Sequence, residues 1–251
     1  MNISAVIIVK NGAITIKNTL DALVEFDDVV VYDNGSSDGT QNICKNYSNV
    51  NLIEGDFLGF GPTKNKAASF AKNDWIVIID ADEVIDEQLL HTFKTKTLDN
   101  NTVYILNFLA FYKNIQIKHC GWNNQKIKRV YNKSITKYND NLVHENIIDK
   151  GMNTEILKGN IKHYSYQSMS DFIIKIDRYS TLFANENKGK KQSSPLKAFL
   201  NATYTFFKTY IIKKGFLDGY AGLIISVTHS TNNFYKYMKL YEVNKELKGK
   251  R

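Results

Sequence analysis

The stretch Trp75-Ile76-Val77-Ile78-Ile79-Asp80-Ala81-Asp82-Glu83 turns from apolar to acidic without a break. Four consecutive branched aliphatic residues suit a strand buried on both faces, and such strands belong to parallel sheets covered by helices. In an open sheet of this kind, ligands bind outside the carboxyl ends of the strands, which is where Asp80 and Asp82 fall. Two carboxylates one residue apart can offer hard oxygen ligands to a divalent cation that also holds a diphosphate. They can equally form an acidic loop in which Asp82, Glu83 and Asp86 favour the N-terminus of the next helix.

Upstream, strand and helix signals alternate. Ser4 to Val9 is an apolar strand followed by a Lys10-Asn11-Gly12 turn. Ile16, Leu20 and Leu23 mark a helix from about Ile16 to Phe26. Asp28 to Tyr32 is a second strand, broken at Asp33-Asn34-Gly35-Ser36-Ser37-Asp38-Gly39-Thr40, and a short helix through Ile43 and Tyr47 follows. Val50 to Ile53 is a third strand, Gly59-Phe60-Gly61-Pro62 a loop and Thr63 to Ala71 a helix. A carboxylate at Asp33 can accept hydrogen bonds from a ribose or base, with backbone N–H donors supplied by the turn behind it. Asp38 reads as an Asx turn with a capped helix.

An acid after a second strand also marks dinucleotide-binding folds, but those need Gly-x-Gly-x-x-Gly after the first strand. Here that position reads Lys10-Asn11-Gly12-Ala13, which excludes the dehydrogenase reading.

Downstream, Val103 to Tyr112 is an aromatic-rich strand, and Ile115 to Tyr166 carries strand-like fragments of weak periodicity. From Ser168 the pattern is helical, with Leu196 to Lys214 apolar and aromatic among lysines, a break at Gly215-Phe216-Leu217-Asp218-Gly219, and a last helix from about Tyr220 to Lys248. The expected fold is α/β, a mostly parallel central sheet flanked by helices, with a helical C-terminal extension. The expected division is an α/β domain over residues 1–166, in two parts 1–113 and 114–166, and a helical region over 167–251. The Leu196 to Lys214 segment can lie at an anionic membrane interface or pack on the domain with its lysines outward.

The 251 residues carry a net charge of +8, with 43% apolar and 23% charged residues. The excess is nearly all lysine, whereas nucleic-acid readers exploit the bidentate geometry of arginine, so no nucleic acid is expected. No apolar run of 18 residues exists to cross a bilayer, and the start lacks the features of a secretory signal. Cys44 and Cys120 fit no metal spacing or disulfide framework, which points to a reducing cytoplasm. Arg129 can hold a phosphate of donor or acceptor, or sit on a solvated strand edge. Trp122 can offer an aromatic platform to a sugar ring, or belong to the core.

The segment Val6 to Asn11, the Asp33 to Thr40 element and Asp80-Ala81-Asp82-Glu83 together resemble, in order and spacing, the family 2 inverting glycosyltransferases of GT-A fold. Gly59-Phe60-Gly61-Pro62-Thr63-Lys64-Asn65, Asp74-Trp75, Val143-His144-Glu145 and Gly215-Phe216-Leu217-Asp218-Gly219 resemble the branch that adds glucose to the inner core of lipopolysaccharide or lipooligosaccharide. The resemblance implies a UDP-sugar donor bound by Val9, Asn11, Asp33, Asn34, Lys64, Asp80 and Ala81, with Asp33 on the uridine and Asp80 on the ribose or diphosphate. It implies Mn²⁺ or Mg²⁺ on Asp82, with His163 as a further metal ligand. Lys64 departs from the arginine often found there and keeps the charge without the planar fork. Inversion needs a base on the face opposite the leaving group. The resemblance assigns this to Glu145, beside His144, with Asp140 and Asp149 as other carboxylates in reach of that role.

The acceptor implied is a lipid-linked oligosaccharide, and the site of action the cytoplasm, on the inner face of its membrane. Three other readings stand beside this one: a sugar-phosphate nucleotidyltransferase, which would need a Gly-rich basic loop near the N-terminus; a glycosyltransferase of another cell-surface polysaccharide; and a non-catalytic sugar-nucleotide or membrane-binding module.

Overall fold

A computed structural model describes residues 1–123, 125–142 and 144–249, so that Val143 of the Val143-His144-Glu145 motif lies outside the described residues. The chain divides into two compact units, Met1–Leu109 with Asn124–Tyr164, and Ala110–Asn123 with Ser165–Arg251.

In the first unit the central strands are β1 (Ile3–Val9), β2 (Val29–Asp33), β3 (Val50–Glu54) and β4 (Trp75–Ile78), in the order β3-β2-β1-β4 and all parallel. The apolar runs of β1, β2 and β4 follow from cover on both faces, whereas β3, at the edge, carries Asn51 and Glu54 and is only partly buried. Ala5, Ile7 and Val9 share one cluster with Ile16 and Leu20 of α1 (Ile16–Asp21) and with Leu89 and Phe93 of α4 (Glu87–Thr95). Val6 points the other way, onto Ala67 and Ala68 of α3 (Phe60–Ala68). The short α2 (Thr40–Cys44) follows β2.

Beyond β4 the sheet continues in the order β8-β6-β9-β5, with β8 (Gln125–Asn132) antiparallel to β4 and β6 (Thr102–Tyr112) antiparallel to β8. The short β5 (Glu83–Ile85) pairs antiparallel with β9 (Asn153–Tyr166), in a register that sets Glu83 opposite His163. The sheet is therefore α/β with a parallel core and an antiparallel flank.

Three local expectations change. The first helix stops at Asp21, and the following turns expose the carbonyls of Leu23 and Phe26 to the Asn49 side-chain amide, 2.9 Å from each. Gly59 to Pro62 is not a free loop, because α3 already begins at Phe60. Pro62 lies in its first turn, where a missing N–H costs nothing, and the orphan N–H groups of Phe60 and Gly61 donate to the carbonyls of Leu142 and Asn141. A Cβ at Gly61 would stand 2.0 Å from the Asn139 carbonyl oxygen, so the glycine is what admits segment 139–142. At the acidic loop only Asp86 caps α4, accepting from the Leu89 N–H at 2.8 Å, while Glu83 is in a strand.

The second unit holds α5 (Met169–Asn187), α6 (Pro195–Phe207), a π-helical turn (Lys208–Ile212), a 3-10 turn (Gly215–Asp218) and α7 (Gly219–Gly249). Between the strand end Phe111–Tyr112 and this helical part, β7 (Ile115–Gln116) closes a hairpin. Ser168 and Asp171 form a reciprocal capping box at the start of α5. Asp218 of the Gly215 to Gly219 break accepts from the backbone N–H groups of Lys118 (3.2 Å) and His119 (2.8 Å) and pairs with His119 Nδ1 at 2.8 Å. Cys44 and Cys120 are buried thiols in different units, each pushed up to about 11, chiefly by burial.

Candidate functional site

At the carboxyl ends of β1 and β2, two loops are laced together. The Asn11 N–H donates to Ser36 Oγ (2.8 Å), and the Ser37 N–H returns to Asn11 Oδ1 (2.9 Å). Asn11 takes the left-handed backbone, φ 57°, that asparagine tolerates better than most residues. Gly12 and Ala13 donate to Thr40 Oγ1 and Asp38 Oδ2, both at 2.9 Å. Asp38 thus joins the loops as well as making its own turn to Thr40, and a bond from the Thr40 hydroxyl is the main cause that lowers its pKa. The Val9 carbonyl accepts from the Asn34 N–H (2.8 Å), and the Asn34 amide donates to the Gly55 carbonyl (3.1 Å).

Asp33 is fully buried. One carboxylate oxygen accepts from the Ser36 N–H (3.0 Å) and hydroxyl (2.6 Å), and the other from Gln41 Nε2 (2.6 Å). In this state it organises the loop from within.

At the end of β4, Asp80 and Glu83 share Arg129 of β8. The guanidinium donates at 2.9 Å to Asp80 Oδ2 and at 2.9 Å to Glu83 Oε1, and the Asp80 N–H donates to Glu83 Oε2 at 2.8 Å. The side chains of Arg129 and Glu83 are only 7% and 0% exposed, whereas Asp80 keeps 36%. Arg129 is therefore no solvated edge residue, and its charge is spent on two carboxylates. Enclosure raises the Asp80 pKa, but the charges of Arg129 and Lys64 more than offset it and hold the carboxyl well below its usual range. Burial, with Asp80 adjacent, pushes Glu83 up to about 8 against the pull of Arg129.

Asp82 and His163 form the open part of the cluster. Both side chains are 31% exposed, and Oδ2 lies 3.4 Å from Nε2. The pairing of β5 with β9 brings them together, aided by the Tyr164 N–H, which donates to the Asp82 carbonyl at 2.9 Å. Phe108 stands between the two charged clusters, its ring 5.3 Å below the Arg129 guanidinium and edge-on to His163. Ala81 is held by Thr19, whose hydroxyl donates to its carbonyl at 3.0 Å. Burial opposes charge on His163, yet the Asp82 bond and the Glu83 and Asp80 carboxylates raise its pKa.

The Asp82 and His163 pair also suits a cation. Ligands at about 2.0–2.1 Å in neighbouring octahedral positions stand roughly 3 Å apart, close to the separation seen. Among the described residues no cluster of three or more His, Cys, Asp or Glu forms a cage. One or two carboxylates, with the remaining positions given to substrate oxygens and water, is the usual manner of Mg²⁺ with phosphates.

Lys64 links the site to segment 138–145. It is only 6% exposed, its ammonium pairs with Glu145 Oε1, and it lies 5.1 Å from the centre of the Tyr138 ring. Asn65, next along α3, fixes this segment by exchanging hydrogen bonds with the Tyr138 backbone at 2.8 and 2.9 Å. Glu145 is 15% exposed. His144 is exposed in a left-handed conformation, φ 59°. Asp149 pairs with Lys128, and Asp140 is exposed.

Trp122 belongs to the second unit. Its ring stacks on Tyr166 (centroids 5.4 Å apart, 21° between planes), and its N–H donates to His229 Nε2 at 3.1 Å. Burial, with Lys213 and Lys236 nearby, pushes His229 down to about 4 and keeps it a neutral acceptor.

Sequence reasoning passed over Gln41, Phe108 and the role of Glu83. For Glu83 a signal exists: an acid on the apolar-acidic junction, two residues before Ile85, whose alternation predicts an inward side chain.

An uncharacterized glycosyltransferase of Rickettsia prowazekii is 27% identical over 257 residues, covering 96% of this chain and 87% of that protein. The lipopolysaccharide core biosynthesis glycosyltransferase LpsC of Rhizobium meliloti is 22% identical over 255 residues, covering 96% and 92%. The crystal structure of S. aureus TarS 1-349 in complex with UDP-GlcNAc aligns over 100% of this chain and 93% of that one, with 13% identity and a TM-score of 0.47. The glycosyl transferase family 2 model matches residues 4–157. That span exceeds half of the chain and takes in Val9, Asp33, the Asp80 to Glu83 junction, Arg129 and Glu145, and the chain belongs to glycosyl transferase family 2.

Proposed function

We propose that the chain transfers a hexose, glucose in the first instance, from a UDP-sugar to a hydroxyl of a lipid-linked saccharide such as the lipooligosaccharide or lipopolysaccharide inner core, with inversion. The observation that carries this reading is the charge network at the strand ends. Segments far apart in sequence pair Arg129 with Asp80 and His163 with Asp82, and Lys64, whose charge also acts on Asp80, holds Glu145. Family membership supports transfer as the reaction, and the likeness to LpsC, a lipopolysaccharide core biosynthesis glycosyltransferase, supports a core saccharide as acceptor. Such an acceptor puts the reaction at the inner face of the cytoplasmic membrane. The division into a donor half 1–113, an acceptor half 114–166 and a helical region 167–251 is part of the same proposal, with Trp122 an aromatic platform for a sugar ring.

Val9, Asn11, Asn34 and Ala81 supply the backbone and amide groups around the nucleoside, and a uridine contact through Asp33 has Gln41 give up its bond. Arg129 keeps Asp80 ionised and fixed in direction, ready to accept from the ribose. A Mn²⁺ or Mg²⁺ ion held by Asp82 and His163 would supply neutralising charge for the leaving diphosphate. Glu145 takes the proton of the acceptor hydroxyl, the oxygen bonds to the anomeric carbon, and the bond from that carbon to the diphosphate breaks with its electron pair on UDP. As Glu145 becomes neutral its hold on Lys64 weakens, and that ammonium turns to the diphosphate. His144, beside the base, orients the acceptor.

Product analysis tests the reading. Purified protein given a UDP-hexose, Mn²⁺ or Mg²⁺ and glycolipid should release UDP and extend the glycolipid by one hexose. Pyrophosphate formed from UTP and a sugar phosphate, with no UDP from UDP-hexoses, would contradict it. Mass spectrometry of surface glycolipid from cells with and without the chain then reads the acceptor and the linkage.

A further inference from the structure

The charge of this chain is not spread along it. Residues 187–241 hold nine lysines and one acid, Asp218, and thereby the whole excess of eight positive charges, while the other 196 residues balance at 24 basic and 24 acidic side chains. Asp218 does not offset these lysines at the surface, because its side chain is only 4% exposed and is taken up by the Lys118 and His119 backbone.

The same stretch exposes an apolar stripe. On α6 and the π-helical turn that prolongs it, Leu196, Leu200, Tyr204, Phe207 and Ile211 recur at intervals of three and four, each 52–67% exposed. Ala198, Ala202 and Thr209 on the opposite side are buried. Small residues face the unit's interior and large ones face outward, the reverse of a helix whose apolar side serves the core. Lys197, Lys208, Lys213 and Lys214 lie along the same segment. Among the described residues no helix is long and apolar enough to cross a membrane.

We propose that this face docks on an anionic phospholipid bilayer, with the stripe at the level of the acyl boundary and the lysine heads among the phosphates. An exposed apolar stripe of this extent marks an interaction surface, and the charge around it selects the occupant. A second copy of this chain would set like charges against like, which costs affinity, whereas a negative headgroup layer attracts them. The proposal rests on the transferase reading only for its purpose, a lipid-linked acceptor, and not for the binding itself.

Sedimentation with vesicles, using the full chain and no sugar donor, tests it. The protein should pellet with vesicles of mixed phosphatidylcholine and phosphatidylglycerol, stay in solution with phosphatidylcholine alone, and be released as salt screens the attraction. A Leu200→Ser, Phe207→Ser, Ile211→Ser variant should partition at least about ten-fold less. A Lys208→Glu, Lys214→Glu variant should lose about as much, and it decides the matter alone if circular dichroism shows the triple variant misfolded. Failure to bind either vesicle, equal binding to both, or a dimer in solution that the triple variant splits would overturn the proposal. UDP release, read separately, is untouched by any of these outcomes.

Discussion

In the unit that carries Asp80, cations are spent inside: Lys64 and Arg129 are 6% and 7% exposed and face Glu145, Asp80 and Glu83. Residues 187–241 of the helical unit carry nine lysines and one acid that is itself enclosed, with Lys239 paired to Asp177 from outside the stretch. A buried charge must be matched one for one, since an unpaired ion there costs several kcal/mol. Exposed charge is cheap to accumulate and acts as a field rather than through single contacts. The first arrangement fixes individual atoms, as a reaction requires, and the second gives attraction without register, as a lipid surface requires.

The largest expected effect comes from breaking the enclosed pairing at its base. Glu145→Gln keeps the shape but neither takes a proton nor holds Lys64 by charge, and should slow transfer by about a hundred- to ten-thousand-fold with UDP binding retained in titration calorimetry. Full transfer by this variant would remove Glu145 from the mechanism.

Next is the bracket. Arg129→Met takes away the donor shared by the ionised Asp80 and the enclosed Glu83 and should destabilise the fold by about 1–3 kcal/mol, read from the denaturant midpoint. A loss below about 1 kcal/mol, the range of exposed ion pairs, would mean that the enclosure is not as tight as the 0% exposure of Glu83 implies.

The smallest effect belongs to the helical unit. His229 is kept neutral, at about 4, against about 6.5 in the unfolded chain. Because the folded value is the lower, stability is fully present above about 6.5 and is lost as pH falls towards 4. His229→Phe should remove that part of the acid sensitivity, seen as a flatter dependence of the denaturant midpoint between pH 7 and 4. An unchanged slope would assign the loss to other groups.

Much of the parallel core is legible in the sequence because burial on both faces demands unbroken apolar runs, and Val6 to Val9, Val29 to Tyr32 and Ile76 to Ile79 are such runs. The antiparallel flank is harder to read. In β9 the inward positions are Leu157, Gly159 and Ile161, and the middle one is a glycine because Leu89 of α4 leaves no room for a Cβ, so the alternation that signals a strand is interrupted. The acids of the site can be selected by their place after β4, but their partners cannot. Lys64 and Glu145 are 81 residues apart and Arg129 and Asp80 are 49, distances at which only the tertiary fold decides who meets whom. For the same reason Asp33 reads as a ligand-facing carboxylate, whereas Ser36 and Gln41 occupy it from within.

On the proposed mechanism, Asp82 and His163, beside the Arg129-braced Asp80, make a place for a cation and a diphosphate. Titration of UDP into the purified chain, with and without Mn²⁺, tests this directly, alongside an Asp82→Asn variant. The natural chain should bind UDP at least about ten-fold more tightly with the ion, with no such gain in the variant. Equal affinity with and without Mn²⁺, or an undiminished gain in Asp82→Asn, would contradict it.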